Sequence, residues 1–333
     1  MATTNTVLEA DQQSGLRRRV VTDIRKPNLF LVGAPKCGTT ALSSYLAGHP
    51  DIFMSEQAVA MAPGQDLLKA KEPGYYAEDQ CELFGGRPFS SREAYLAVFE
   101  QADASVQWRG EASVNYLASK VAIPNIVQDN PDAKFVVAVR NPVAIASGMH
   151  NQRVKEGSEN ILDFETAWRA QESRLQGTNL PTGTNMSPAA FQYGQLARIG
   201  TQLKRLYQHV PRDRVHVIVH DDLAVDPLNV YKQLLAFLGI PYDGRTEFSK
   251  VNASKSIGSP VFIRLLIWAN GLRKQLGIPG MGKGLYKKVY KLGLTSGKEE
   301  IAPAFEQELK DYFRTEVDIM SGLLGRDLHH WSQ

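Results

Sequence analysis

Apolar positions along this chain fall into two alternating patterns: short unbroken runs, and longer stretches where they recur every three or four residues. Leu29 to Val32 is the first unbroken run and predicts a strand. Behind it, Ala41, Leu42, Tyr45 and Leu46 stand at helical spacing, and His49-Pro50 ends that helix. Asp51 to Met54 predicts a short strand, and residues 91–101 a helix. Lys134 to Val139 is a continuous apolar strand ending on Arg140, a pattern suited to a parallel strand covered on both faces. Residues 189–208 predict one amphipathic helix, Val215 to Val219 another strand, and Leu228 to Leu238 a helix closed by Gly239. Strands alternating with helices predict an α/β fold: a central parallel sheet with helices on both faces. No internal repeat and no dividing linker is visible. The organisation is therefore a flexible arm over 1–26 and a single domain over 27–333, with 55–70 and 261–298 as possible lid or cap segments.

The turn between the first strand and its helix carries candidate chemistry. Gly33-Ala34-Pro35-Lys36-Cys37-Gly38-Thr39-Thr40 is bounded by glycines and opens a helix. Backbone N–H groups at such a turn converge on one point, and the helix dipole favours an anion there. Lys36 adds a full charge, and Thr39 and Thr40 add hydroxyls. A Walker A loop ends Gly-Lys-Ser/Thr; here the lysine precedes the second glycine and threonine follows it. Arg140-Asn141-Pro142 is a second strand-to-helix turn. An arginine there presents a fork of donors to a phosphate. Cys37 lies at a helix N-terminus beside Lys36, where a thiol becomes more acidic; the simpler reading is a small residue contributing only its backbone.

Pro35-Lys36-Cys37-Gly38-Thr39-Thr40 resembles the 5′-phosphosulfate loop of sulfotransferases that use 3′-phosphoadenosine-5′-phosphosulfate (PAPS), and Arg140-Asn141-Pro142 resembles their 3′-phosphate motif. The family's helical serine falls on Gly148, with Ser147 one place earlier. Downstream, Val217 to Leu223, Asp226-Pro227, Phe237 to Ile240, Val251 to Lys255, and Leu323 to Leu328 with Trp331 continue the likeness to the end of the chain. The resemblance implies a P-loop-type sulfotransferase fold and PAPS as donor, with PAP as product. Pro35, Lys36, Cys37, Gly38, Thr39, Thr40, Arg140, Ser147 and Lys255 would hold the nucleotide.

Lys71-Glu72-Pro73-Gly74-Tyr75-Tyr76 resembles the Lys-Glu-Pro-His-Phe-Phe stretch of bacterial and heparan-type sulfotransferases, whose glutamate is the base. Glu72 is thus implied as the base and Lys36 as the group that stabilises the leaving phosphate, with Lys71 near the sulfonate. Gly74 replaces the histidine of that pattern, and an insertion over 57–69 makes Glu56 a competing base. Gly110 to Leu117 resembles the family's Gly-Glu-x-Ser-Pro-x-Tyr segment. It offers Ser113 and Tyr116 as substrate-binding residues, while Glu111 reads as an internal salt-bridge partner.

Composition narrows the picture further. A net charge of +3 argues against bulk nucleic-acid binding. Two cysteines, one inside the phosphate loop, form no disulfide framework and fit a reducing cytoplasm. Val261 to Leu272 is broken by Arg264 and is too short to span a bilayer. No His/Cys/carboxylate spacing suggests a metal. The basic stretch 261–298 reads as a solvated face or as an attractor for an anionic acceptor. The expected reaction is sulfuryl transfer to a hydroxyl of a small molecule or saccharide. Two other readings stand beside it: a non-catalytic PAP-binding protein and a P-loop kinase. The kinase would need a lysine where Thr39 stands and an acidic metal ligand where Arg140 stands.

Overall fold

The computed structural model describes residues 26–58, 71–83, 89, 91–181, 184, 186–248, 255–257, 294–296 and 301–333. Residues 1–25 of the expected arm over 1–26, residues 59–70 of the expected lid over 55–70 and most of the basic stretch 261–298 lie outside the described residues. Lys26, placed at the end of the arm, is anchored: its ammonium reaches Asp129 Oδ1 at 3.2 Å.

The unbroken apolar runs form one parallel sheet. Its strands are β1 (Leu29–Gly33), β2 (Ile52–Met54), β3 (Trp108–Glu111), β4 (Lys134–Val139) and β5 (Val215–Val219), in the order β2-β3-β1-β4-β5. Every residue of β1 is buried, and so is every residue of β4 after Lys134. Helices on both sheet faces produce that burial. After β1 the chain fills one side of the sheet with β2 and β3, then crosses to the other side for β4 and β5. The switch point falls between β1 and β4, where ligands sit in open α/β sheets, beyond the carboxyl ends of the strands. Phe30 pairs with Phe135 and Leu31 with Val136, and the Ala34 N–H donates to the Ala138 carbonyl at 2.8 Å. The two strand ends read from the sequence as phosphate sites are therefore adjacent.

Among the described residues the helices are α1 (Thr39–Ala47), α2 (Arg92–Leu96), α3 (Ala122–Asp129), α4 (Pro142–Glu156), α5 (Phe164–Arg169), α6 (Gln171–Leu175), α7 (Tyr193–Leu196), α8 (Ile199–His209), α9 (His220–Val225), α10 (Pro227–Leu238) and α11 (Pro303–Leu324). A short antiparallel pair, β6 (Lys255–Ile257) and β7 (Leu294–Ser296), forms a second, two-stranded sheet. Helix α4 begins with Asn141 accepting from the Val143 N–H at 2.9 Å and Pro142 in its first turn, and it ends at Gly157 in the left-handed conformation. Helix α11 buries Phe305, Leu309, Phe313, Val317 and Met320 on one stripe against α8 and α4.

Two helix boundaries differ from the periodicity. Residues 189–208 are not one helix. A tight turn at Pro188–Phe191, then α7, then α8 follow each other with breaks at Gln192 and Arg198. The Gln192 side chain donates to the Gln171 and Pro188 carbonyls, so tertiary hydrogen bonds hold the chain out of the helical path. Over 91–101, the helix stops at Leu96 and a single tight turn, Phe99–Gln101, follows.

Candidate active site

Helix α1 starts at Gly38, a left-handed residue (φ +89°) that offers no capping side chain, and no acidic residue stands in the first turn. The first amides of α1 therefore face the turn with no carboxylate competing for them, which suits a bound anion. Lys36 is itself left-handed (φ +67°). For a lysine this costs about 1 kcal/mol or more, so its surroundings must hold it. Arg140 supplies one restraint: its Nη1 donates to the Lys36 carbonyl at 2.9 Å. The two cationic residues of the predicted donor site thus meet at one place.

The Lys36 side chain runs across α4. A Cβ on Gly148 would stand 3.3 Å from Lys36 Cγ and 3.4 Å from Cε, so the lysine stem lies against the bare backbone of that residue. Its ammonium donates to Gln152 Oε1 at 3.4 Å, and Gln152 Nε2 donates to Glu156 Oε1 at 2.9 Å. Burial pulls the Lys36 pKa below the usual lysine value, Arg140 lowers it further, and Glu156 opposes both. Cys37 does not become acidic. Its side chain is fully buried, and that burial pushes the thiol up to about 12 despite Arg140 and Lys36 nearby. The thiol points into the core and contributes nothing reactive.

The second cluster of charge comes from the segment after the insertion. Lys71 Nζ donates to Thr40 Oγ1 at 2.8 Å and lies 3.6 Å from Glu72 Oε1. Enclosure lifts the Glu72 carboxyl above the usual carboxylate range; Lys71 opposes this, and Glu156 and Glu56 add to it. The side chain nevertheless keeps 45% of its exposure, so an incoming molecule can reach it. Glu56 is also raised by burial and opposed by Lys71, so both base candidates face the same ammonium. Gly74, which replaces the histidine of the family pattern, has φ +62°. That conformation favours glycine, and it lets the Gly74 N–H reach Ser113 Oγ at 2.9 Å.

Ser113 and Tyr116 do not line an open surface; both are fully buried. The Ser113 hydroxyl donates to Glu111 Oε2 at 2.5 Å and that of Tyr116 to Oε1 at 3.0 Å, and Tyr95 also donates to Oε1. Glu111 is therefore held by three hydroxyls rather than by the salt bridge read from the sequence. Burial lifts it to about 7. The cluster supports the active segment from below: Ser113 takes the Gly74 N–H, and the Ala112 N–H donates to the Lys71 carbonyl at 3.3 Å.

Ser147 does not join Lys36. Its hydroxyl donates back to the Ala144 carbonyl of its own helix at 3.5 Å, and Gly148 is the residue that faces the lysine. The backbone of Lys255 lies in β6, which pairs with β7 and is not hydrogen-bonded to the main sheet, and its side chain lies outside the described residues. His150 is buried, with Nε2 against the Ile161 carbonyl at 2.8 Å, as a structural histidine would be. The sequence reading missed Gln152 and Glu156. A usable signal was there: both follow Gly148 at helical spacing, on the face that meets the loop.

A family model described as "Sulfotransferase family" matches residues 27–244, and the chain belongs to that family. Among curated proteins it is similar to a bifunctional heparan sulfate N-deacetylase/N-sulfotransferase 1 of Caenorhabditis briggsae. The two are 24% identical over 223 residues, which is 65% of this chain and 23% of that protein. It is also similar to the mouse heparan sulfate glucosamine 3-O-sulfotransferase 3B1, at 24% identity over 64% of this chain and 46% of that protein. The chain spans less than half the length of these relatives. Among solved structures, a sulfotransferase from Alicyclobacillus acidocaldarius shares the fold with a TM-score of 0.62 and 24% identity, over 92% of this chain and 99% of that one. No helix among the described residues is long and apolar enough to cross a membrane.

Proposed function

We propose that the protein transfers a sulfuryl group from PAPS to a hydroxyl of a saccharide or small-molecule acceptor. The observation that carries this reading is the meeting of Arg140, Lys36 and the uncapped start of α1 at the switch point, with Lys71 bonded to Thr40 of the same helix and lying beside Glu72. A site with three cations, Lys36, Arg140 and Lys71, open amides and the Thr40 hydroxyl fits a nucleotide carrying a phosphate and a phosphosulfate. The turn from Pro35 to Thr40 would receive the phosphosulfate end and Arg140 the remaining phosphate. When bound, PAPS supplies a sulfuryl group already joined to a phosphate leaving group.

The protein's own groups then have separable tasks. Glu72 takes the proton of the acceptor hydroxyl, whose oxygen forms the new bond to sulfur as the sulfur–phosphate oxygen bond breaks. Burial that raises the Glu72 pKa makes it a stronger base than an ordinary carboxylate. Lys36 meets the negative charge that develops on the departing phosphate oxygen. Lys71 sits between Thr40 and Glu72, where it keeps the carboxylate charged and faces the transferring group. Similarity to heparan sulfate sulfotransferases favours a saccharide acceptor. The test is transfer of radioactive sulfate from labelled PAPS to a panel of amino sugars, polysaccharides and phenols. The reading expects transfer to at least one class and its loss in Lys36→Ala. Activity that persists undiminished in Lys36→Ala overturns the assignment.

A further inference from the structure

The reading above gives Lys36 its task, but a lysine on a flexible stem needs a fixed location to perform it. Three observations place that location on one face of α4. Gly148 provides a bare stretch of helix along which the Lys36 stem lies, with approaches of 3.3–3.5 Å to the position of an added Cβ. One turn on, Gln152 Oε1 accepts from the ammonium at 3.4 Å. A further turn on, Glu156 Oε1 accepts from Gln152 Nε2 at 2.9 Å. Residues 148, 152 and 156 succeed each other at four-residue spacing and share that face.

The geometry points to Gln152 as a positioning residue for Lys36, held in orientation by Glu156 and made reachable by the missing side chain at Gly148. This inference rests on the sulfotransferase reading for the task of Lys36, though not for the contact itself. A glutamine amide turns either its oxygen or its NH2 toward a neighbour. A carboxylate accepts and does not donate, so Glu156 claims the NH2 and leaves the amide oxygen for Lys36. The relay thus fixes the ammonium without placing a full negative charge directly against it. A carboxylate at 152 would hold the lysine more tightly and blunt its charge toward the leaving group. The charged groups that act on Lys36 are Glu156 from α4, Arg140 from the end of β4 and Lys71 from the neighbouring loop; the titratable thiol of the adjacent Cys37 is held neutral by burial. A serine at 148, the residue the family pattern places there, would crowd the lysine stem; glycine opens the route to Gln152.

The experiment uses the full chain and two variants, Gln152→Ala and Gln152→Glu. The first readout is the titration of Lys36 in the free protein, from the pH dependence of its labelling by acetic anhydride, read by peptide mass spectrometry. A carboxylate at 152 should raise the Lys36 pKa by about one unit, a tenfold change in its acid dissociation. The second readout is cleavage of labelled PAPS, with or without acceptor. Gln152→Ala should lower kcat about tenfold while KM for PAPS stays within about twofold, because placement rather than affinity is lost. A packing role alone would change thermal stability and leave both readouts in place. Unmoved Lys36 labelling in Gln152→Glu overturns the contact. Undiminished kcat in Gln152→Ala, with wild type active, overturns the positioning role alone. A wild-type protein that cleaves no PAPS overturns the proposed function, and the role of Gln152 with it, whatever the labelling shows.

Discussion

The Lys71 ammonium donates to the Thr40 hydroxyl at 2.8 Å, so the segment that carries Glu72 is tied to the first turn of the helix behind the phosphate loop. The same ammonium lies 3.6 Å from Glu72 and lowers its pKa against the effect of burial. Replacing it removes that opposition. In Lys71→Met the Glu72 pKa rises further, and the acid limb of the pH–rate profile moves upward. Initial rates from pH 4 to pH 9 in wild type and variant check this, and an unmoved limb contradicts it.

In the proposed mechanism Glu72 and Lys36 define both sides of that profile. The base works only when ionised, so activity falls as pH drops through the raised Glu72 pKa, above the ordinary glutamate value. The lysine works only when protonated, so activity falls as pH climbs through the depressed Lys36 pKa, below 10.5. Glu72→Gln should reduce kcat by a factor on the order of 10² to 10⁴ and remove the acid limb. Undiminished turnover in that variant moves the base elsewhere, with Glu56 the next to replace.

Glu111 predicts a pH-dependent stability unrelated to catalysis. Its folded pKa of about 7 lies above the value of 4.5 for an unperturbed glutamate, so the folded state holds its proton more tightly than the unfolded chain does. The stability this provides is fully present below about pH 4.5 and is lost as pH rises toward 7. Its size is roughly 3 kcal/mol at most. Glu111→Gln keeps one oxygen to accept from the Tyr95 and Tyr116 hydroxyls, turns an NH2 donor toward Ser113 Oγ, removes the titration, and should flatten the fall in Tm across that window. An unchanged slope shows that Glu111 titrates normally.

Gly38 combines φ +89° with a neighbour too close for a side chain, since a Cβ there would lie 2.8 Å from Leu223 Cδ2. Gly38→Ala should cost about 1–3 kcal/mol of stability and weaken PAP binding, because the loop must rotate away from its anion-binding form. Calorimetric unfolding and PAP titration of the variant measure the two effects. A variant as stable as wild type would show that the loop adapts.

The parts of this protein legible in its sequence are those fixed by neighbours along the chain. The apolar runs at Leu29 to Val32 and Lys134 to Val139 are strands because their residues suit burial on both faces, and the glycines at 33 and 38 mark the turn. Arg140 stood out because a charge ends an apolar run. What was not legible depends on contacts between distant segments. Ser113 and Tyr116 lie beside the active segment in sequence pattern, yet burial turns both toward Glu111. The helix read over 189–208 breaks because Gln192 bonds to Gln171 and Pro188, which no periodicity reveals. Gly148 read as a missing serine, and only the path of Lys36 shows what the empty position accommodates.

The most direct test of the donor site is calorimetric titration of the purified protein with PAP, beside a parallel titration with ATP and magnesium. The account predicts saturable PAP binding, weakened about tenfold or more in Arg140→Ala through loss of a charged hydrogen-bond donor. It also predicts that ATP with magnesium binds more weakly than PAP. Clear binding of ATP with magnesium and none of PAP would contradict the account and put phosphoryl transfer in its place.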